Sequence, residues 1–314
     1  MGYDVLVLGS LVMDRKYFAT GTLGGTAPVW DVQRHHGGVG RNIAVNTARL
    51  GARTAFAGLS GHGRDAAELE AELTALGVRP LHVLRTPDGI GRWDVLLDAD
   101  GQQITSRIAL PDPAAARPLA GPALAATVAA AGAVLAEGGL DEDLLTWLSR
   151  EAGKGGTLMC CLPTRQRDFG PRAHLLPLYD VLLLNAREAL ALTGEAGTPA
   201  EQARRLLGHG PRVVVVTAGA DGAAVASAEE PTALALPAET GPCTDDTGAG
   251  DALASAFVVH LVRGASPRAA LALGLRAARL TIGCGQSTCR TLATDPALTA
   301  RRTGRWTPPG ARAS

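Results

Sequence analysis

Short, fully apolar runs alternate along this chain with longer stretches in which apolar positions recur at helical spacing. Residues 4–9, 54–59, 133–136, 157–162, 181–184 and 212–217 read as strands buried on both faces. Between them, residues 41–50, 65–76, 142–151, 186–192 and 201–207 read as helices, and 248–262 and 267–281 close the pattern. Gly77 and Gly194 stand where two of these helices should stop. Alternation of this kind predicts an α/β fold, with a mainly parallel sheet covered by helices on both sides.

One region departs from the alternation. Residues 92–98 and 102–110 flank Ala99-Asp100-Gly101 and read as a hairpin with an Asp-Gly turn. Residues 14–36 are similarly non-helical. Together, roughly 14–36 and 90–110 predict a small β-sheet that projects from the main body as a lid. Neither a linker nor an internal repeat divides the chain, so one domain over residues 1–314 is expected, with 301–314 as a frayed tail.

Composition narrows the classes. At 314 residues and 46% hydrophobic content the chain can bury a sizeable core. Its 30 basic and 30 acidic residues cancel, which argues against nucleic acid or an anionic membrane as partner. The longest nearly apolar run, residues 123–136, falls short of the roughly 20 residues that span a bilayer. The first residues lack a leader pattern, and a cytoplasmic protein is expected. The five cysteines form no CxxC pair and make an odd count, which argues against a disulfide framework and a structural zinc site. Cys160 and Cys161 should face opposite sides of a buried strand.

The chemistry is densest at Thr244-Asp245-Asp246-Thr247-Gly248-Ala249-Gly250-Asp251, which runs straight into the apolar helix start Ala252-Leu253-Ala254. Unpaired amides and the helix dipole at such a start favour an anion, and small residues let it come close. Asp251, one residue further, would lie where it can take a proton from an attacking hydroxyl. Alone, Asp251 could simply complement the helix dipole, worth about 0.3–1 kcal/mol. The tiny residues before it are harder to explain that way, because they cost backbone entropy unless something approaches closely.

A second constellation, His36-Gly37-Gly38-Val39-Gly40-Arg41-Asn42, opens the helix at 41–50. Asn42 carries both donors and an acceptor, which suits sugar hydroxyls; its alternative reading is a helix-start residue. Its glycine spacing fails the dinucleotide fingerprint, since Ile43 occupies the third glycine position. Asn185-Ala186-Arg187-Glu188 follows a strand and reads either as a capping box or as ligands for magnesium waters and phosphate. Thr217-Ala218-Gly219-Ala220-Asp221-Gly222 is a tight turn that could also admit a nucleotide, and Asp14 is a turn residue or an acceptor for a diol. There is no Walker A motif and no GxSxG elbow, and the protease-like triplet Asp246-Thr247-Gly248 has no second copy.

GGVGRN at 37–42, NxxE at 185–188, TAGADG at 217–222 and DTGAGD at 246–251 occur in one order that resembles the ribokinase-like carbohydrate and nucleoside kinases, the PfkB family. The resemblance runs from Val5 to about Thr281. It implies a three-layer ribokinase-like α/β sandwich with a β-lid, ATP as donor and Mg²⁺ as cofactor. Carried over, Asp251 is the general base, and Gly248, Ala249 and Gly250 form the anion hole. Asn185 serves phosphate and Glu188 magnesium, while Thr217, Gly219 and Gly222 line the nucleotide. Asp14, Gly38, Arg41 and Asn42 belong to the acceptor side, and Asp245 and Thr247 fall where many members bind K⁺.

Within the family, GGVGRNIA with Asn46, Leu50-Gly51, LLDADG at 96–101 and the segment 138–148 are most similar to the pseudouridine kinases. That implies phosphorylation of a primary ribosyl hydroxyl, with pseudouridine 5'-phosphate as product. Ribose, adenosine or a phosphosugar are the other acceptors, and a non-catalytic sugar- or nucleotide-binding regulator is the reading from another class. Two departures stand out: Asp246 replaces the usual Thr or Val, and residues 283–289 lack an Asn-rich ending. Lid edges of this kind also suggest a homodimer.

Overall fold

β1 (Val5–Ser10) is buried at all but its last residue, and its side chains alternate between two cores. Val5 and Val7 enter one, Leu6 and Leu8 the other. The computed structural model describes residues 2–19, 29–87, 89–100, 102–163, 170–230 and 232–300. The same alternation runs through β4 (Thr54–Ser60), β8 (Ala133–Glu137), β9 (Leu158–Leu162), β10 (Val181–Asn185) and β11 (Val213–Thr217). With β5 (Val78–Arg85), β12 (Ala223–Ser227) and β13 (Leu234–Leu236) they form a nine-stranded sheet in the order β13-β12-β11-β10-β9-β8-β1-β4-β5. β12 and β13 are antiparallel to their neighbours, and the remaining pairings are parallel.

Helices cover both faces, as the alternation predicts. On one side lie α1 (Val39–Arg49), α2 (Arg64–Ala75), α7 (Ala249–Val262) and α8 (Pro267–Cys284), contributing Ile43, Leu69, Phe257 and Leu271 to the core. On the other lie α3 (Pro122–Ala129), α4 (Glu142–Gly155), α5 (Ala186–Thr193) and α6 (Pro199–Leu207), contributing Leu124, Leu145, Ala189 and Leu206. Full burial of a side chain such as Phe257 stabilises the fold by about 1.5–3 kcal/mol. α7 is apolar all round and buried from Ala252 to Leu261, so it is the central helix of its layer, packed between α1 and α8. Cys160 and Cys161 face the two different cores, as expected.

The irregular region forms a second sheet of four strands: β2 (Val12–Ala19), β3 (Val29–Gly37), β6 (Gly91–Leu97) and β7 (Gln103–Ala109), ordered β3-β2-β6-β7. The β6–β7 hairpin matches the predicted one, and Asp98 Oδ1 accepts from the amides of Asp100 (3.0 Å) and Gln102 (2.8 Å) where the chain turns. Its central pair, β2 and β6, is parallel, so the sheet is two hairpins laid side by side. Asp14 lies within β2 and is not a turn residue. The predicted 14–36 segment is partly outside the described residues, as are Gly101 and the 301–314 tail.

Three differences from the pattern reading have physical causes. β5 contains Pro80, which demotes a run in sequence but is tolerated here because β5 is an edge strand. The apolar run at 123–136 divides into α3 and β8 around Ala131-Gly132. β12 (AAVAS) is mostly alanine, which strands disfavour, and β13 has only three residues, so neither announces itself. No helix among the described residues is long and apolar enough to cross a membrane.

Candidate active site

The two glycine-rich helix starts meet at the same end of the large sheet, and they are treated differently by the fold. α1 begins at Gly38 (φ +101°) and has no cap from its own N-cap side chain. Its Gly40 amide instead donates to Glu137 Oε1 at 2.6 Å. Glu137 ends β8, is buried, and also accepts from the Ser10 amide (2.9 Å) and hydroxyl (3.0 Å). An internal carboxylate thus fills the anion position of α1.

α7 has no such plug. Its N-cap Gly248 is left-handed (φ +83°, ψ −1°), and a Cβ there would collide with the carbonyl oxygen of Ser287. Ala249 donates its N–H to the Asp246 carbonyl (3.1 Å), so this amide, expected in the anion hole, is engaged by its own turn. The amides of Gly248, Gly250 and Asp251 find no acceptor among the described residues. Gly250 is exposed and helical, and a Cβ on it would meet nothing within 4 Å. Protein packing therefore does not demand glycine at 250.

Asp251 stands beside these amides, and Asn42 Nδ2 donates to its Oδ2 at 2.9 Å. Its own carbonyl accepts from Ser255 Oγ (2.6 Å), which ties the first turn of α7 together. Burial pushes its carboxyl up to about 7. The Asn42 hydrogen bond opposes that, the charges of Glu137 and Glu188 add to it, and Arg41 works against it. A carboxylate titrating near neutrality, next to open main-chain donors, can accept a proton from an alcohol.

Asp14 is raised to about 6, chiefly by burial, with Arg41 and Lys16 pulling it down. Its carboxyl lies against Gly37, where a side chain would collide with it, and it has no hydrogen-bond partner among the described residues. The charge of Arg41 acts on both Asp14 and Asp251. Arg41 itself is turned away from solvent. It is 3% exposed and turns to Glu72, with Nη2 at 2.6 Å and Nε at 3.1 Å from Oε2.

The remaining predicted residues divide. Asn185 and Glu188 form the capping box of α5: Asn185 Oδ1 accepts from the Arg187 and Glu188 amides (both 3.0 Å), and Glu188 Oε2 accepts from the Asn185 amide (2.8 Å). Glu188 is also close enough to Asp251 to influence its charge. Thr217 ends β11, and Gly219 (φ +58°) and Gly222 (φ +90°) shape the turn into β12. A Cβ at Gly222 would collide with the Leu236 carbonyl, whereas one at Gly219 meets nothing, so only Gly222 is demanded by packing. Asp245 accepts from the Thr247 amide (2.9 Å), and that contact holds its carboxyl below the usual range.

Pattern reasoning missed Glu137, Glu72 and Lys16. Glu137 had a signal: a carboxylate ending a wholly apolar strand, at the end where open α/β sheets place their ligands. The charge of Lys16, on β2, lowers both Asp14 and Asp245. No group of three or more His, Cys, Asp or Glu among the described residues could hold a metal by itself.

A model of the pfkB family of carbohydrate kinases matches residues 3–292, and the chain belongs to this family. It is 34% identical over 142 residues to cytidine kinase from Thermococcus kodakarensis, a match covering 44% of this chain and 50% of that protein. It is 28% identical over 290 residues to guanosine-inosine kinase from Exiguobacterium acetylicum, covering 87% and 92%. The chain spans only about half the length of the first of these relatives. Arabidopsis thaliana ribokinase, solved with ribose and ATP, shares the fold with a TM-score of 0.78 at 22% identity, over 96% of this chain and all of that one (100%).

Proposed function

We propose that this kinase-family member transfers the terminal phosphoryl group of ATP to a primary hydroxyl of a ribosyl compound, with a ribonucleoside as acceptor and pseudouridine as the first candidate. The observation that carries this is the pairing of Asp251 with the unfilled amides of Gly250 and its own N–H at the start of α7. In the forward reaction Asp251 takes the proton of the attacking hydroxyl as the oxygen–phosphorus bond forms. The amides hold the phosphoryl oxygens, where charge must be matched as the bond to the leaving diphosphate breaks. Asp14 accepts from acceptor hydroxyls, and Asn42 reaches the same space while holding Asp251. The turn Thr217–Gly222 and Asn185 lie on the nucleotide side.

Magnesium fits these residues without a cage, because an ion carried by phosphates and water needs only one or two carboxylates, and Glu188 is placed to supply one. When bound it neutralises phosphate charge. A potassium ion beside Asp245 and Thr247 belongs to the same reading. Asp245 is kept ionised there, and the Ser287 carbonyl lies against Gly248. The small sheet serves as the lid, excluding water that would hydrolyse ATP. It also exposes Trp30, Val32 and Ile108, which supports pairing of two lids in a homodimer.

Pseudouridine as acceptor rests on the GGVGRNIA and LLDADG segments, and named relatives acting on cytidine and on guanosine and inosine support a nucleoside class. The test is a panel of pseudouridine, uridine, cytidine, guanosine, inosine, adenosine and ribose with ATP and Mg²⁺, read by ADP formation and by phosphorus NMR of the product. A 5'-phosphate formed fastest from pseudouridine supports the full reading. Faster phosphorylation of ribose than of every nucleoside overturns the acceptor class, and nucleoside binding with no ADP formed across the panel favours a regulator.

A further inference from the structure

Arg41 is a buried guanidinium, and a buried cation needs both a counter-charge and acceptors for its nitrogens. Glu72 on α2 supplies the charge through Oε2. The third nitrogen, Nη1, donates to Asn42 Oδ1 at 3.0 Å. Asn42 then has its amide nitrogen toward Asp251, at 2.9 Å. The direction of this chain is fixed by donor chemistry. Arginine carries no acceptor, so the oxygen of Asn42 must face it, and the nitrogen must face the carboxylate. Without Arg41 the Asn42 amide could turn over and present its oxygen to Asp251, where two acceptors repel.

Glu72 has a second donor: His36 Nδ1 lies 3.0 Å from the same Oε2. His36 is the next-to-last residue of β3 on the small sheet, beside the glycines that lead into α1. Burial tends to raise the Glu72 carboxyl, but His36 and Arg41 together hold it below the usual range. The acid end of the chain is therefore charged, as an anchor for Arg41 must be.

We propose that Glu72 and Arg41 are positioning residues for the phosphotransfer base, acting on Asp251 through the orientation of Asn42 in addition to the charge of Arg41. The proposal rests on the kinase reading above for its catalytic consequence, but its structural core can be tested without turnover. The charged groups facing Asp251 are Arg41 from α1, Glu137 from β8 and Glu188 from the start of α5. Arg41 and the Asn42 amide favour its ionised form, and the two glutamates oppose it. Weakening the Arg41–Asn42 link must then move the Asp251 titration upward.

The test uses the full chain and four variants, Arg41→Lys, Glu72→Gln, Asn42→Ala and Arg41→Lys combined with Asn42→Ala. Lysine keeps the charge but lacks the fork that reaches Glu72 and Asn42 together. In the best nucleoside assay, R41K and E72Q are expected to lower kcat about ten- to a hundredfold. KM for ATP should stay within twofold, and the acid limb of the rate profile should move to higher pH. In the Asn42→Ala background, R41K should change kcat less than twofold, because its route to Asp251 is already cut. Carbon-13 NMR of the aspartate carboxyls reads the Asp251 midpoint directly, and a midpoint raised in R41K or in E72Q supports the proposal. An unmoved midpoint in both, or a full additional loss from R41K on top of Asn42→Ala, overturns it. Wild-type protein that phosphorylates nothing while its midpoint still shifts with R41K refutes the kinase reading and leaves this relay standing.

Discussion

Asn42 and Asp251, 209 residues apart in sequence, join the starts of two helices through one hydrogen bond of 2.9 Å. α1 delivers the donor and α7 the acceptor, and the packing of those helices sets their separation. Behind the donor side of this contact stands Glu137, which takes the Gly40 amide in the first turn of α1. The first turn of α7 keeps the amides of Gly250 and Asp251 open. The site is therefore asymmetric by construction: one helix start is a closed structural joint, the other a receptor for charge.

Substitution at the two glycines of α7 should separate fold from function. Gly250→Ala adds a methyl group that touches no protein atom, and alanine favours a helix by about 1 kcal/mol over glycine. Thermal stability should be unchanged or slightly higher, while kcat/KM for ATP falls at least about tenfold because the methyl occupies the approach to the amides. Gly248→Ala must instead leave the left-handed region and displace Ser287, costing roughly 1–3 kcal/mol. Calorimetry with steady-state kinetics on both variants checks the contrast, and a fully active Gly250→Ala enzyme would argue against an anion at this helix start.

Replacing Glu137 with Gln should shift the acid limb of kcat/KM to lower pH. Its charge raises the Asp251 carboxyl, so removing it favours the ionised base. Glutamine keeps one acceptor oxygen for Gly40 and Ser10 but presents an amide nitrogen in place of the other, and about 1–3 kcal/mol of stability should be lost. A pH-rate series and urea unfolding measure the two effects separately.

The small sheet is tied to α2 by ion pairs. Asp65 accepts from Arg15 at 2.6 Å and from Arg34 at 2.5 Å, and Glu68 accepts from Arg34 at 2.9 Å. These groups are partly exposed, so each pair is worth about 0.2–1 kcal/mol and is screened by salt. Asp65→Ala should raise the acceptor KM about two- to fivefold with kcat within about twofold of wild type. The acceptor KM of the wild type should climb toward the variant's as ionic strength rises, which a salt titration reads out.

Much of this architecture was written in the apolar pattern. The parallel strands and their helices follow from burial on both faces, and caps such as Asn185 and Thr198 mark where helices start. The register of the small sheet was not legible, because the parallel pairing of β2 with β6 joins residues far apart in the chain and leaves no local trace. At the site, the glycine loops and Asp251 announced themselves by being costly to explain as packing. The orientation of Arg41 did not. A basic residue beside a candidate ligand group reads as a contact until the structure shows Glu72 drawing it inward. Glu72 itself was one more charge on an amphipathic helix.

Asp251 also links activity to stability through pH. Its folded carboxyl, raised to about 7, binds a proton that the unfolded chain releases near its ordinary value of 3.8. That contribution is present in full at low pH and disappears as pH rises through the folded value. Asp251→Asn, neutral at every pH, should therefore gain on the wild type as pH rises from 5 to 8, by on the order of 1–3 kcal/mol. Denaturant midpoints at the two pH values decide it.

The most direct measurement is turnover and nucleotide affinity of that same Asp251→Asn variant at pH 8. The account predicts kcat lowered by about 10²–10⁴ with the affinity for ATP and Mg²⁺, measured by calorimetry, within about threefold of wild type. Turnover close to the wild type would contradict it, because the residue between the open amides and Asn42 would then not be the base.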